Sequence, residues 1–184
     1  MSDRAATDIA LLRGINVGGK NKLPMRDLAT LFTIAGCEEV RTYIQSGNVV
    51  FEAPAALAAS VPAIIASGIE ERFGYRVPVL VRTAGELRAI VGDNPFSGGG
   101  ADPSSLHVAF LANAPEDDRI ARLDPDRSAP DAFQVRGREI FLCCPNGKAR
   151  TKLTNDYFDS KLATTSTVRN WRTVLALVAM ADGR

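Results

Sequence analysis

Segments with strand and helix periodicity alternate through the first half of the chain, and their order restricts the folds open to it. Continuous or alternating apolar residues predict strands at residues 9–12, 40–45, 48–52 and 77–81. Apolar residues at helical spacing predict one helix from Pro24 to about residue 35 and another that ends at Gly74. Pro62 leaves two placements of the second helix open, since the helix either begins near Ser60 or is kinked at the proline. The order strand, helix, strand, strand, helix, strand is that of a ferredoxin-like βαββαβ unit.

The second half carries a similar mixture of elements. We predict a strand at residues 106–111, an acidic helix at 115–123, a hairpin at 132–135 and 139–144, and helices at about 151–162 and 167–181. The hydroxyl residues 164–167 are expected to cap the last helix. The glycine-rich segment 94–103 divides the chain into predicted subdomains 1–92 and 93–184, packed together as one compact unit. The predicted fold class is α+β, with a ferredoxin-like N-terminal half and a smaller α+β C-terminal half.

The position of Pro78 makes the predicted sheet more specific. Proline has no N–H for a strand ladder, so the fourth strand is expected at a sheet edge, as in the usual ferredoxin-like order. In that order the first and second strands run parallel on either side of the third. The segment after the first strand and the turn between the second and third strands are therefore expected to meet at one end of the sheet.

Both of these segments are polar and contain glycine, which indicates a binding site. Between residues 13 and 26 there are four basic residues and no acidic residue. We expect charge from Arg13, Lys20 and Lys22, backbone N–H donors from Gly18 and Gly19, and orienting side chains from Asn16, Gln45, Ser46 and Asn48. From the second half, the expected contributors are Lys152, Asn155, Arg169 and Asn170. An anionic ligand fits this set of residues, and no catalytic residue is identifiable.

Two specific motifs are approached without being matched. Residues 14–21 nearly follow the phosphate-binding pattern G-x-x-x-x-G-K-[ST], but Asn21 replaces the hydroxyl residue that holds magnesium. An RNA-recognition module stacks bases on aromatic residues of its first and third strands. Asn48 and Val50 occupy those positions of the third strand here. The sequence therefore favours neither a P-loop NTPase nor a standard RNA-recognition module.

Composition excludes several other classes. The 184 residues carry a formal net charge of +1, so no global field draws the chain to nucleic acid or to a membrane surface. Three cysteines, two of them adjacent, and one histidine favour neither a disulfide framework nor a zinc site. We expect no metal, no cofactor and no membrane segment, and a reduced, cytoplasmic setting. The oligomeric state is not predictable from the sequence.

Four sequence motifs in order resemble one bacterial family. They are LRGINVGGK at residues 12–20, RTYIQSGNVVF at 41–51, KLTN at 152–155 and RNW at 169–171. Together they are similar to the domain of unknown function 1697 family over nearly the whole chain. The resemblance implies a two-part α+β protein whose first part is ferredoxin-like, and it implies no activity.

The leading hypothesis from sequence is a small protein that binds a phosphate-bearing or other anionic small molecule through glycine-rich basic loops. A non-catalytic protein-interaction or oligomerisation module is the alternative, and nucleic-acid binding is a second alternative. A large exposed apolar patch would favour the interaction module.

Overall fold

A computed structural model describes residues 5–183 of the chain. The eight strands in this range are β1 Ala6–Leu12, β2 Glu38–Tyr43, β3 Asn48–Ala53, β4 Val79–Thr83, β5 Leu106–Leu111, β6 Ala132–Arg136, β7 Glu139–Cys143 and β8 Ser166–Asn170. The six α-helices are α1 Met25–Ile34, α2 Ala55–Phe73, α3 Ala84–Gly92, α4 Asp117–Ile120, α5 Asn155–Leu162 and α6 Trp171–Ala181. The α+β class is confirmed.

The first sheet has the strand order β2-β3-β1-β4, and every neighbouring pair is antiparallel. β1 and β2 therefore run parallel on either side of β3, as the sequence predicts. β4 lies at an edge, with Pro78 immediately before it. The ferredoxin-like arrangement of the first half is confirmed.

Helices α1 and α2 supply the apolar side chains that cover one face of this sheet. Leu28 and Phe32 of α1 pack with Phe51 of β3, and the rings of Phe32 and Phe51 lie 5.2 Å apart at their centroids. Val61 and Ile65 of α2 join the same core. Burial of these side chains holds the strand ends, and the loops that follow them, in fixed positions.

The second helix begins earlier than Ser60, so the placement with Pro62 in its first turn is wrong, and the placement with Pro62 inside the helix agrees with the structure. α2 begins at Ala55, directly after Pro54, and Pro62 lies inside it. The helix ends as predicted at Gly74, whose φ of 74° is left-handed. Proline at the residue before a helix needs no partner for its missing N–H, which explains the earlier start.

The prediction of a helix over residues 167–170 is wrong. Residues Ser166–Asn170 form β8, which pairs antiparallel with β5. The last helix begins at Trp171, and its cap is Asn170, whose Oδ1 accepts a hydrogen bond of 2.9 Å from the N–H of Thr173. The hydroxyl residues 164–167 do not cap it. β-branched residues in this segment suit a strand, and pairing with β5 stabilises that conformation.

The second sheet repeats the topology of the first, with the order β6-β7-β5-β8. Leu12 and Leu111 end equivalent central strands, and each donates its N–H over 2.8 Å to a carbonyl of the adjacent hairpin, that of Gly47 or Arg138. Buried arginines also occupy equivalent places. Arg82 of β4 pairs with Ile9 of β1, and Arg169 of β8 pairs with Val108 of β5.

The chain divides into two units. One contains the chain up to Arg88 together with the segment from Leu177 onward, and the other is Ala89–Ala176. The division lies close to the expected boundary after residue 92, except that the end of α6 belongs to the first unit. No helix among residues 5–183 combines the length and the apolar character needed to span a membrane.

Candidate functional site

Residues 13–22, which we call the glycine loop, leave β1 in a conformation dominated by left-handed backbone. Gly18 and Gly19 have φ values of 57° and 76°, and a Cβ added at either would meet no atom within 4 Å. Their N–H groups make no hydrogen bond to any residue in the range 5–183. The tip of the loop is a tight turn, which the N–H of Lys20 closes by donating to the carbonyl of Val17 at 3.0 Å, and it leaves the N–H groups of Gly18 and Gly19 open to solvent.

Asn16 holds the glycine loop in place. Its Nδ2 donates to the carbonyl of Leu23 and to that of Gln45, each at 2.8 Å, and its Oδ1 accepts from the N–H of Leu23 at 2.8 Å. Asparagine also tolerates the φ of 55° found at this position. All of the hydrogens of its amide are used, so Asn16 shapes the loop rather than presenting a free donor to a ligand.

The segment 44–48, which we call the hairpin turn, lies against the glycine loop. The N–H of Leu12 donates to the carbonyl of Gly47 at 2.8 Å, and Asn16 bonds Gln45. A Cβ at Gly47 would lie 2.7 Å from Cβ of Leu12 and 2.8 Å from Cδ1 of Ile15. The predicted meeting of the two segments at one end of the sheet is confirmed, whereas ligand binding there stays a prediction.

Asn48 and Ser46 stabilise the hairpin turn from within. Nδ2 of Asn48 donates to Oγ of Ser46 at 2.9 Å and to the carbonyl of Tyr43 at 3.2 Å, and Asn48 is fully buried. Gln45 is exposed at the surface of the turn. Of the orienting residues expected from the sequence, Gln45 is thus the one whose side chain is exposed.

The cationic side chains of the glycine loop are accessible. Lys20 and Lys22 are exposed, and their ammonium groups have no hydrogen bond or ion pair with any described residue. Arg13 is half-buried at the start of the loop. Asn21 donates from Nδ2 to the carbonyl of Gly14 at 2.9 Å, so its side chain is used in holding the loop. Asn21 thus has a structural role at the position where the phosphate-binding pattern G-x-x-x-x-G-K-[ST] has a magnesium-binding hydroxyl residue.

Sequence reasoning missed Ile44 in this turn. Its φ is 47°, a left-handed value that is rare for a β-branched residue, and 52% of its surface is exposed. Val17 at the tip of the glycine loop is also exposed, at 63%. Strain of this kind gathers at functional positions because the surrounding structure must maintain it. No local sequence signal marks it.

The four site residues expected from the second half lie in the second unit. Lys152 is exposed, and its N–H donates to Oγ of Ser128 at 2.9 Å. Asn155 begins α5, where its Oδ1 accepts from Oγ of Ser166 at 3.2 Å. Their joining the residues of the glycine loop in one site stays a prediction.

Arg169 and Asn170 have structural roles that the sequence did not indicate. Arg169 is buried on β8, where its Nη1 donates to Oγ1 of Thr167 at 2.8 Å and to the carbonyl of Val168 at 3.0 Å. Burial lowers the pKa of Arg169 to about 10. Arg169 is therefore a buried residue of the second sheet, and Asn170 is the cap of α6.

Two further reactive side chains, Cys144 and His107, are buried in the second unit. Cys144 is buried, and burial, followed by the charge of Asp131, raises the pKa of its thiol. Burial lowers the pKa of His107, whose Nδ1 lies 3.2 Å from the carbonyl of Ser105. A thiol that resists ionisation is a poor nucleophile. No three His, Cys, Asp or Glu residues between 5 and 183 are placed to hold a metal ion together.

A buried carboxylate on β1 is the most perturbed acid of the first unit. Asp8 is 3% exposed, and burial, with a smaller contribution from the charge of Glu86, raises its pKa to about 6. The same surroundings raise the pKa of the Cys37 thiol, by burial first and by the charge of Asp8 second. At neutral pH the ionised form of Asp8 therefore opposes folding.

We expect Asp8→Asn to stabilise the protein at pH 8 by about 1–2 kcal/mol and to have no stabilising effect at pH 4. The pKa of Asp8 is higher in the folded chain than the usual aspartate value, so the unfolded chain loses this proton first. The contribution of Asp8 to the free energy of unfolding consequently falls as the pH rises from about 4 to about 7. Urea unfolding of both proteins across this range measures the effect, with the exposed Asp93→Asn as control. An equal effect at pH 4 and pH 8 would contradict the assignment.

The comparisons with known proteins agree with this fold. The sequence matches the model of the family described as "Protein of unknown function (DUF1697)" over residues 6–141, which contain the glycine loop and the hairpin turn. A conserved bacterial protein from Streptococcus pneumoniae has a similar structure, with a TM-score of 0.75 at 21% sequence identity. That similarity covers 96% of this chain and 99% of the other, and at this identity it shows the fold alone. No curated protein matches the sequence. Because the family model covers most of the chain, including the first two of the four motifs, the protein belongs to the DUF1697 family of proteins of unknown function.

Proposed function

We propose that the protein binds a small phosphate-bearing or other anionic ligand at the glycine loop, with the hairpin turn as its support. The observation that carries the proposal is the pair of left-handed residues Gly18 and Gly19, whose N–H groups are unpaired within the described range. Lys20 follows them directly and Lys22 lies two residues further on, both with unpaired ammonium groups. Backbone donors in such a loop bind phosphate oxygens, and adjacent cations strengthen the binding.

The fixed shape of the loop supports the same proposal. Asn16 ties the loop to the hairpin turn and to Leu23, so the donors at Gly18 and Gly19 stand on a defined scaffold. A preorganised loop loses less conformational entropy on binding than a mobile one. The sequence between residues 13 and 26 contains no acid that would neutralise the site.

A thermal-shift screen tests the proposal, followed by calorimetric titration of any compound that stabilises the protein. The panel contains inorganic phosphate, pyrophosphate, nucleotides, sugar phosphates, and short DNA and RNA strands. A ligand present at about one hundred times its Kd is expected to raise the Tm by about 5 °C or more. We expect Lys20→Glu to weaken binding at least about tenfold, since it replaces attraction by repulsion at the ligand.

Lys161→Glu is the matched control, because Lys161 is an exposed lysine of α5 in the second unit. Equal affinity of the Lys20→Glu and Lys161→Glu variants would place any binding elsewhere. Failure of every anion to raise the Tm would refute the proposal. Selective binding of the DNA or RNA strands would instead support the nucleic-acid alternative.

The interaction-module alternative is favoured by one observation of its own. A groove of about 710 Å³ lies between α1 and α2, lined by Leu31, Ile34, Ile64 and Ile65 among others. Ile34 is 72% exposed and Ile64 is 41% exposed. Exposed apolar surface of this kind is typical of contacts between proteins. Sedimentation of the protein at rising concentration would show self-association if this groove is an oligomer interface.

A further inference from the structure

A second, chemically different cavity lies in the unit Ala89–Ala176. Its volume is about 240 Å³, below the range of drug-sized ligand pockets, so it suits a small molecule. The residues that line it are Ser128, Ala129, Pro130, Asp131, Asn146 and Arg150. It contains one acid and one base, and neither belongs to the glycine loop or to the hairpin turn.

Asp131 provides a fixed negative charge in this cavity. It is 8% exposed, and its Oδ2 accepts a hydrogen bond of 2.8 Å from Oγ of Ser128. The N–H of Lys152 and the hydroxyl of Thr151 contact the same Ser128 oxygen at 2.9 Å and 3.3 Å, which holds the serine in place. The second carboxylate oxygen, Oδ1, has no hydrogen-bond partner among residues 5–183. No buried side-chain oxygen in the described range lacks a hydrogen-bond partner, so this second oxygen of Asp131 is open to solvent and accessible to a ligand in the cavity.

Arg150 provides the opposite charge at the same cavity. Its guanidinium forms no ion pair or hydrogen bond with any residue that the structure describes. Asp131 and Arg150 therefore line one cavity without pairing, although a bidentate bond between such groups is strong where they can meet. The side chain of Asn146 on the cavity wall is equally without a partner in the described range.

Lys148 is not a direct partner of Asp131 either. Its Nζ donates to the carbonyl of Leu153 at 2.9 Å, and it forms no ion pair with Asp131 within the described part of the chain. Burial lowers the pKa of Lys148, and the nearby charges of Cys144 and Asp131 oppose that shift. Lys148 therefore does not occupy the second oxygen of Asp131, which stays accessible to a ligand.

We propose that this cavity binds a small zwitterion, an amino acid or a similar amine-bearing carboxylate. The ligand ammonium would donate to Oδ1 of Asp131, and its carboxylate would accept from the guanidinium of Arg150 and the amide of Asn146. A zwitterion would contact the solvent-accessible oxygen of Asp131 and the exposed guanidinium of Arg150 at the same time, whereas an amine or a carboxylate alone would contact only one of them. This site is independent of the anion site proposed above.

An NMR titration of the full-length protein tests the inference. The probes are glycine, alanine, serine and β-alanine, with methylamine and acetate as the two half-ligands. We expect at least one zwitterion to cause saturable shifts at the amides of Ser128, Asp131 and Arg150, and to bind at least about tenfold more tightly than either half-ligand. Asp131→Asn and Arg150→Gln are each expected to weaken that binding at least about tenfold.

Both variants are expected to remain folded, so that a loss of binding cannot be attributed to unfolding. Asparagine keeps the shape of Asp131 and an oxygen for Ser128, and Arg150 is exposed. Asp126→Asn and Arg119→Gln are matched controls outside the cavity lining, and they should bind as the unchanged protein does. The inference is overturned if no zwitterion binds saturably, if both variants bind normally, or if a half-ligand binds as tightly as the zwitterions.

Discussion

Gly47→Ala is expected to lower the free energy of unfolding by about 2–4 kcal/mol. Two costs combine, because alanine is strained at the φ of 76° and its Cβ would lie 2.7 Å from Cβ of Leu12 and 2.8 Å from Cδ1 of Ile15. Cβ of Leu12 is attached directly to the backbone and cannot move by a side-chain rotation, and although Cδ1 is the end of the Ile15 side chain, both residues are buried. Urea unfolding monitored by circular dichroism measures the loss.

Gly18→Ala is the matched control for this substitution. Gly18 also has a left-handed φ, 57°, but an added Cβ there meets nothing within 4 Å. We expect a loss of about 1 kcal/mol, the cost of the backbone conformation alone. Equal losses at Gly47 and Gly18 would show that the glycine loop and the hairpin turn are not in close contact.

Asn16→Ala is expected to cost about 2–4 kcal/mol and to abolish binding of any anion held by the glycine loop. The substitution removes three hydrogen bonds, two to Leu23 and one to Gln45, and puts alanine at a φ of 55°. Leu23 is buried, so its N–H loses a partner that water does not easily replace. Chemical denaturation measures the stability, and calorimetry measures the binding.

Asn21→Ala is the control that separates the loss of the Asn16 hydrogen bonds from the cost of placing alanine at a left-handed φ. Asn21 shares the left-handed conformation, with a φ of 47°, but its side chain makes one hydrogen bond, to the carbonyl of Gly14. A loss of about 1–2 kcal/mol is expected there. If Asn16→Ala were no more harmful than Asn21→Ala, the connection between the glycine loop and the hairpin turn would not control the loop.

The sequence predicts the first sheet well because its signals are local and mutually consistent. Apolar periodicity identifies the strands and helices, Pro78 identifies an edge strand, and the strand order then places two distant polar segments at one end. α3 starts with a capping box, in which Glu86 accepts from the N–H of Thr83 at 2.8 Å and Thr83 accepts from the N–H of Glu86 at 3.1 Å. In each case, residues close in sequence determine the structure.

The parts that could not be predicted depend on residues distant in sequence. β8 exists because β5 lies beside it, and a run of hydroxyl residues before an apolar helix is equally typical of a helix cap. Asp131 and Arg150 line one cavity without forming an ion pair, and the spacing of residues in the sequence does not predict this cavity. The burial of Asp8 has one faint signal, a single acid directly before the apolar run of β1.

Because the two sheets share one strand order, the end of β5 in the second sheet can serve as a control for the end of β1 in the first. Both central strands end in a leucine whose N–H is held by the neighbouring hairpin, but Ala112 and Asn113 follow β5 where Arg13 and Gly14 follow β1. The backbone frame is thus duplicated while the glycines and lysines are not. An anion that binds to strand ends without specificity should shift the amide signals after β1 and after β5 alike. An anion that the glycine loop recognises should shift only those after β1.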